Sequence, residues 1–313
     1  MSRQTMIVTG GAGFIGSHIV DGLLKRGLRV VVIDDFSTGS QANLAQQAVL
    51  YQIDIRDRAR VLEVFDQERP AAVFHLAAQA SVVVSTREPG FDVQTNVLGT
   101  LHLLEAAARV GCRHFLFSST GGAIYAPSAP LPCTEDSPVG PLSVYGLSKA
   151  AAESYIRYFE RVHGMLATIL RLSNVYGPRQ NSQGEAGVVA IFCDRALTGG
   201  QILLDGDGEQ TRDFVYVEDV AGAFLTACIE GITGTCNVST GKETTVNRLY
   251  YAISEAVHTT PAVEHGPARP NDMRRSVLSS DRLQRAGSWK PQVAFDEGVA
   301  RTVEWFRQHP GKL

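Results

Sequence analysis

No window of this 313-residue chain approaches the roughly 18 uninterrupted apolar residues that a membrane-crossing helix requires. Met1 to Thr5 lead straight into a strand-like run, with neither the basic start nor the apolar stretch of a secretory signal. The expectation is a cytoplasmic protein with no membrane partner. Basic charge is not in excess either: 29 Lys and Arg stand against 32 Asp and Glu, for a net charge of -3. Without a positive surplus little would hold a phosphate backbone, so no nucleic acid partner is expected. The five cysteines, Cys112, Cys133, Cys193, Cys228 and Cys236, are odd in number and widely spaced, with no CxxC pair. That pattern argues against a disulfide framework and a structural zinc, leaving reduced, mostly buried thiols. The eight histidines form no HExxH or similar helical pair, so no protein-held metal is expected. Internal repeats, low-complexity tracts and Ser/Gly-rich or Pro-rich linkers are missing as well.

What remains is an ordinary globular composition, 44% hydrophobic, in a chain long enough to bury one large core or two modest ones. Through the first 170 or so residues, short β-branched runs alternate with amphipathic stretches. Strands are predicted at Met6 to Thr9, Arg29 to Ile33, Leu50 to Ile53, Ala72 to Leu76, His114 to Ser118 and Ala167 to Leu172. These runs are continuously apolar, as strands covered on both faces should be. Helices are predicted at Ile15 to Arg26, Arg58 to Glu68, Phe91 to Val110 and Val144 to His163. Strand, helix, strand, repeated, means an α/β fold with a doubly wound parallel sheet. From about residue 174 Gly and Pro become frequent, and helical segments (Gly187 to Leu197, Glu218 to Glu230, Thr245 to Val257, Phe295 to Gln308) are separated by longer loops. A first domain over residues 1–173 and a smaller mixed α/β substrate-binding domain over 174–313 are expected, with a segment near 206–240 returning to the first.

Directly after the first strand comes TGGAGFIG, with Gly10, Gly13 and Gly16 spaced GxxGxxG. Glycines there permit a tight turn and close backbone approach. The helix opening at Phe14 then aims its N–H groups and positive dipole end into the turn, which suits a pyrophosphate. A glycine pattern alone is weak, but here a strand precedes it, a helix follows, and Asp34 ends the next strand. A carboxylate at that place accepts from both adenosine-ribose hydroxyls and repels a 2'-phosphate, so NAD is expected over NADP. The neighbouring Ser37 and Thr38 belong to the same site and, being small and polar, are what would tolerate that phosphate. Asp54, followed by Ile55, is either a carboxylate for the adenine amino group or an ordinary cap or solvated Asp.

Ser143-Val144-Tyr145-Gly146-Leu147-Ser148-Lys149 opens a helix with Ser143 as its cap, and Tyr145 and Lys149 share one face. A phenol near pKa 10 is a poor base at neutral pH. A lysine ammonium beside it, and more so a cationic nicotinamide, stabilises the phenolate and makes a base fit to take a proton from an alcohol. Tyr-x-x-x-Lys alone would more often be a surface pair. Ser118-Ser119-Thr120 adds weight, because it ends a parallel strand where such sheets hold ligands, and Thr120 can bond the reacting oxygen.

TGGAGFIG, HLAAQ (His75 to Gln79), SSTGG, YGLSK and LRLSNVYGP (Leu170 to Pro178) occur in this order, and the set resembles the extended short-chain dehydrogenase/reductases. The nearest likeness is to the UDP-glucose 4-epimerase family, from Met6 to about Trp305. That resemblance implies a Rossmann-type sheet, with Thr120, Tyr145 and Lys149 as the catalytic set and Lys149 also holding the nicotinamide ribose. It implies an NAD site of Gly10, Gly13, Phe14, Ile15, Gly16, Asp34, Asp54, Ile55, Leu76, Ala77, Ala78, Gln79, Asn96 and Ser118. Asn174, Gly187, Val188, the run Gln210 to Phe214 including Arg212, and Arg269 with Asp272 match positions that hold the UDP portion. The chemistry agrees, since arginine forks suit a diphosphate.

The implied reaction is reversible C4 epimerisation of a UDP-hexose through a 4-keto sugar, with NAD recycled. Ser276 stands where hexose-restricted relatives often carry a bulky tyrosine, which leaves room for an N-acetyl group. A dehydratase would need the Asp-Glu pair that follows the catalytic threonine in that branch, and here Gly121-Gly122 follow Thr120. A decarboxylase stands with the dehydratase as a rival on the same scaffold, a UDP-glucuronate 4-epimerase differs less, by extra cationic contacts to a carboxylate alone, and a catalytically silent NAD-binding regulator is the reading from another class. The resemblance also implies a homodimer through a helix bundle from Phe91 to Val110 and Val144 to His163. Burial of those stripes on the sheet explains them equally well.

Overall fold

The computed structural model describes residues 4–183, 187–268 and 273–310. The strands are β1 (Thr5–Thr9), β2 (Arg29–Asp34), β3 (Val49–Gln52), β4 (Ala72–His75), β5 (His114–Thr120), β6 (Leu166–Leu172), β7 (Asn174–Tyr176), β8 (Ile202–Asp205), β9 (Thr211–Arg212), β10 (Phe214–Tyr216), β11 (Gly234–Val238), β12 (Thr244–Thr245) and β13 (Val263–Gly266). Seven of them form one sheet in the order β11-β6-β5-β4-β1-β2-β3, every neighbouring pair parallel. The strand order reverses between β1 and β4, and in such sheets the crevice beyond the carboxyl ends at that switch holds the ligand.

The apolar runs explain the sheet. In β2, Val30, Val31, Val32 and Ile33 are all buried, because alternate side chains meet helices on opposite faces. One face carries Val8, Val30, Val32, Phe74 and Leu116 against helices α1 (Phe14–Lys25) and, later in the chain, Val217–Glu230. The other carries Ile7, Val31, Ile33, Val73, Phe115 and Phe117 against α2 (Arg58–Glu68) and the helices that follow. Those are α3 (Val82–Arg87), α4 (Pro89–Val93), α5 (Gly99–Arg109) and α6 (Val144–His163).

The stretch from Phe91 to Val110, predicted as one helix, is interrupted. α4 and α5 are joined by a single π turn over Gln94–Leu98, and the inserted residue brings Asn96 to the loop after β4. Such π turns gather at functional sites because they re-aim one side chain without breaking the helix.

The remaining helices are α7 (Val188–Thr198), α8 (Val217–Glu230), α9 (Val246–Val257), α10 (Asp281–Ala286) and α11 (Phe295–Gln308). α7, α9 and α11 enclose a separate core of Phe192, Phe214, Tyr216, Leu249, Ile253, Val303 and Phe306. Short pairs β7–β10, β8–β13 (both parallel) and β9–β12 (antiparallel) accompany it. β11 lies on the edge of the main sheet, and α8 packs against α1. No helix among the described residues is long and apolar enough to cross a membrane.

Candidate active site

The first turn is built by close approach. Gly10 has φ +66°, and a Cβ there would lie 2.7 Å from the Ala77 nitrogen; a Cβ on Gly16 would lie 2.1 Å from the Gly10 oxygen. Gly13 precedes α1 with extended backbone and no side-chain cap, so the first N–H groups of Phe14, Ile15 and Gly16 are left for a ligand. Asp34 ends β2 nearly buried, its Oδ2 accepting from the Ala12 N–H (2.9 Å) and its Oδ1 from the Phe36 N–H (2.9 Å). Each oxygen keeps an acceptor position for a ribose hydroxyl. Burial raises the Asp34 pKa, and the two N–H bonds oppose that rise.

Ser37 and Thr38 are exposed beyond it, with the Ser37 hydroxyl turned to Asp35 (2.6 Å). Asp54 is gripped by the Arg56 guanidinium, which lowers its pKa. It caps no helix, since Asp57 caps α2. Ile55 lies buried under Gly99 of α5.

The loop after β4 hangs from Thr9, whose hydroxyl accepts from the Leu76 and Ala77 N–H groups, both at 3.2 Å. Thr9 therefore donates to His75 Nδ1 (2.7 Å), and since Thr100 donates to the Asn96 carbonyl (2.6 Å), His75 donates from Nε2 to Thr100 (2.9 Å). The imidazole is fixed neutral, and burial holds its pKa well below the ordinary value. Ala78 and Gln79 follow, and Gln79 is clamped backbone to side chain: its N–H donates to Asn96 Oδ1 and its carbonyl accepts from Asn96 Nδ2, both at 2.9 Å.

Thr120 at the end of β5 faces Tyr145 in the first turn of α6. Ser143 caps that helix, accepting from the Gly146 N–H (3.0 Å). Lys149, one turn on and buried, donates to the Ser118 carbonyl (2.9 Å) and lies 4.6 Å from the Phe117 ring centre. One expectation needs correction. The ammonium is not what sets the phenol here: burial pushes the Tyr145 hydroxyl up to about 12, the Thr120 hydroxyl pulls it back, and Asp92 adds to the rise. Burial likewise pushes Lys149 down to about 8, against the opposing charges of Asp92 and Glu153.

A glycine cradle too tight for any Cβ, an uncapped helix start, a carboxylate with spare acceptor positions, and a Tyr-Lys pair at the switch crevice fit a dinucleotide and an alcohol beside it. The comparisons agree. The NAD dependent epimerase/dehydratase family model matches residues 6–238.

The chain belongs to that family.

It is 42% identical over 307 residues to a UDP-glucose 4-epimerase of Mycolicibacterium smegmatis, covering 96% of this chain and 98% of the relative. The crystal structure of Thermus thermophilus UDP-glucose 4-epimerase in complex with NAD matches with a TM-score of 0.93 and 44% identity, covering 98% of this chain and 100% of that one. That of Thermotoga maritima UDP-glucose 4-epimerase with UDP-glucose matches with a TM-score of 0.93 and 43% identity, over 97% and 99% of the two chains. The protein is thus an NAD-dependent enzyme similar to the UDP-glucose 4-epimerase isomerases.

Of the residues the sequence assigned to the UDP portion, Asn174 starts β7, and Gly187 is the uncapped start of α7, followed by Val188. Gln210 and Arg212 lie around β9. Gln210 Nε2 donates to the Asp205 carbonyl (3.0 Å), and Arg212 NH1 donates to the Thr211 and Met273 carbonyls (2.8 Å each). Asp213 and Phe214 of the same run point inward. Asp213 accepts from Thr240, Gly241 and Leu278, and Phe214 sits in the second core. Ser276 is buried in the strand-like return that Asp213 anchors. Arg269 and Asp272 lie outside the described residues.

Asp92, Glu153 and the role of His75 as a hydrogen-bonding hub are not marked by any motif in the sequence. Glu153 is buried between Ser119 (2.6 Å), Arg171 (2.7 Å) and Arg157 (2.9 Å). The available signal was polarity on the buried side of an amphipathic stretch: Asp92 lies one turn before Asn96, and Glu153 one turn after Lys149.

Proposed function

We propose that this enzyme interconverts the C4 epimers of a UDP-hexose, UDP-glucose and UDP-galactose first and their N-acetylamino counterparts next, through a transient 4-keto sugar. The observation that carries the reading is Tyr145 facing Thr120 at the carboxyl end of β5, across from the glycine turn. Bound NAD supplies the two-electron acceptor and donor at C4. Thr120 holds the 4-hydroxyl and aims it at Tyr145. The Tyr145 oxygen takes the hydroxyl proton as the sugar is oxidised and returns it when the opposite face is reduced. With burial raising the phenol to about 12, the tyrosine needs added positive charge, which an oxidised nicotinamide would provide. The geometry supports the following roles for the cofactor residues. Gly10, Gly13 and Gly16 let the pyrophosphate approach α1, Asp34 takes the ribose hydroxyls, and Lys149 has donors left for the nicotinamide ribose.

For the UDP end, the uncapped N-terminus of α7 at Gly187 and Val188 suits a diphosphate; Asn174, Gln210 and Arg212 are assigned to the same portion, and Arg269 and Asp272 are assigned to it from the sequence alone. A small, buried Ser276 supports acceptance of an N-acetyl group. Dehydration is disfavoured on chemical grounds, since Gly121 and Gly122 follow Thr120 where β-elimination would call for carboxylates. A cytoplasmic location agrees with the cysteines, all free.

A homodimer is supported by two distinct apolar faces on α6. Ala152, Ile156 and Phe159 pack on the sheet, whereas Leu147, Tyr155, Tyr158 and Val162 face outward and exposed, near Leu98. The test of the mechanism is Tyr145→Phe. Turnover should fall by roughly 10²–10⁴-fold with NAD binding kept, and an unchanged rate would sink the assignment.

A further inference from the structure

Lys149 carries a buried positive charge with no carboxylate within ion-pair distance among the described residues; its ammonium rests on a carbonyl and a ring. A charge in that setting is costly unless an opposite one is near. Two buried carboxylates act on it, Asp92 and Glu153. Glu153 is already neutralised, gripped by Arg171 and Arg157. Asp92 is not. It is wholly buried on α4, and its Oδ2 accepts only from neutral amides, Gln79 Nε2 (2.8 Å) and Asn96 Nδ2 (3.1 Å). Its Oδ1 has no hydrogen-bond partner.

A buried carboxyl with no cationic partner and a buried ammonium with no anionic partner therefore act on each other through the protein interior. One hydrogen-bonded cluster separates them. Asn96 Nδ2, besides touching Asp92, reaches the Ser148 hydroxyl (3.1 Å), which donates to the Tyr145 carbonyl (2.9 Å). The π turn after α4 is what brings Asn96 into that bridge.

We propose that Asp92 is a positioning residue of the reaction, the buried counter-charge that holds the Lys149 ammonium beside Tyr145. Its catalytic meaning rests on the proposed roles of Tyr145 and Lys149. Burial first, with Asp92 adding to it, keeps the proton on the resting tyrosine until an oxidised nicotinamide brings its own charge. The groups bearing on the pair are Asp92 from α4, Glu153 on α6, neutral His75 from β4 and the Thr120 hydroxyl from β5. Burial alone pushes Lys149 down to about 8 even with both carboxylates present, so losing one leaves the ammonium unsupported near neutral pH.

The test is a titration of the purified holoenzyme carrying 13Cε-lysine, in which only Lys25, Lys149, Lys242, Lys290 and Lys312 give signals. Lys149→Arg identifies the Lys149 resonance. Asp92→Asn keeps the shape, its carbonyl able to take the Oδ2 contacts. The Lys149 midpoint should fall by about one pH unit or more in that variant, and the alkaline limb of kcat/KM should move down with it. Asp92→Glu should restore part of both shifts. An unmoved Lys149 midpoint overturns the proposal, whatever the substrate proves to be, because the titration needs no sugar. If Asp92→Asn folds poorly, Asp92→Asn with Lys149→Met decides. Partial recovery of the unfolding midpoint over Asp92→Asn alone supports the pairing, and strictly additive losses overturn it.

Discussion

Asp34 shows how far a single residue carries the cofactor argument. Its type and its place at the end of β2 are visible in the sequence. What the structure adds is that the Ala12 and Phe36 N–H groups fix both oxygens while leaving each an acceptor position. Asp34→Asn should weaken NAD binding by about 1.5–3 kcal/mol, the worth of hydrogen bonds to a charged acceptor, as read by calorimetric titration. An unchanged Kd would remove the ribose assignment. Tyr145, Lys149 and Thr120 were equally legible, because spacing on a helix and position at a strand end are written in the chain. The electrostatic balance around them was not. Asp92 comes from another helix, and burial, which no linear pattern displays, dominates both the phenol and the ammonium.

At the level of elements, continuous apolar runs gave six strands of the main sheet to within a residue or two at each end, because strands covered on both faces leave little choice of residue. The π turn at Gln94–Leu98 escaped detection, since it inserts one residue within a continuous helical run without a proline or glycine to mark it. α6 carries the element-scale prediction. Its inward face is satisfied by the sheet, yet Tyr158 and Val162 remain about half exposed, at 49% and 52%. Tyr158→Glu should shift the protein from dimer to monomer in light scattering, with NAD binding intact. A wild-type monomer at the same concentration would contradict the shared interface.

For the molecule as a whole, the buried His75 and His114 and the half-buried His18 set the acid limit. Burial lowers His18 and His114 to about 4 and holds His75 well below its ordinary value. Their folded-state values lie below the unfolded value of about 6.5, so protons bind the unfolded chain first. Stability is full above pH 6.5 and falls as pH drops toward 4. Urea midpoints should decline steadily over that window; a flat profile between pH 7 and 4.5 would contradict the neutral, buried assignments.

The central claim is an internally recycled C4 epimerisation. The direct measurement is to incubate the purified enzyme, with no NAD added, with UDP-glucose and separately with UDP-N-acetylglucosamine, and to separate products by anion exchange. Formation of the matching 4-epimer is the predicted result, and the ratio of the two rates reports on Ser276. No epimer from either sugar, even after NAD is supplied, would contradict the claim.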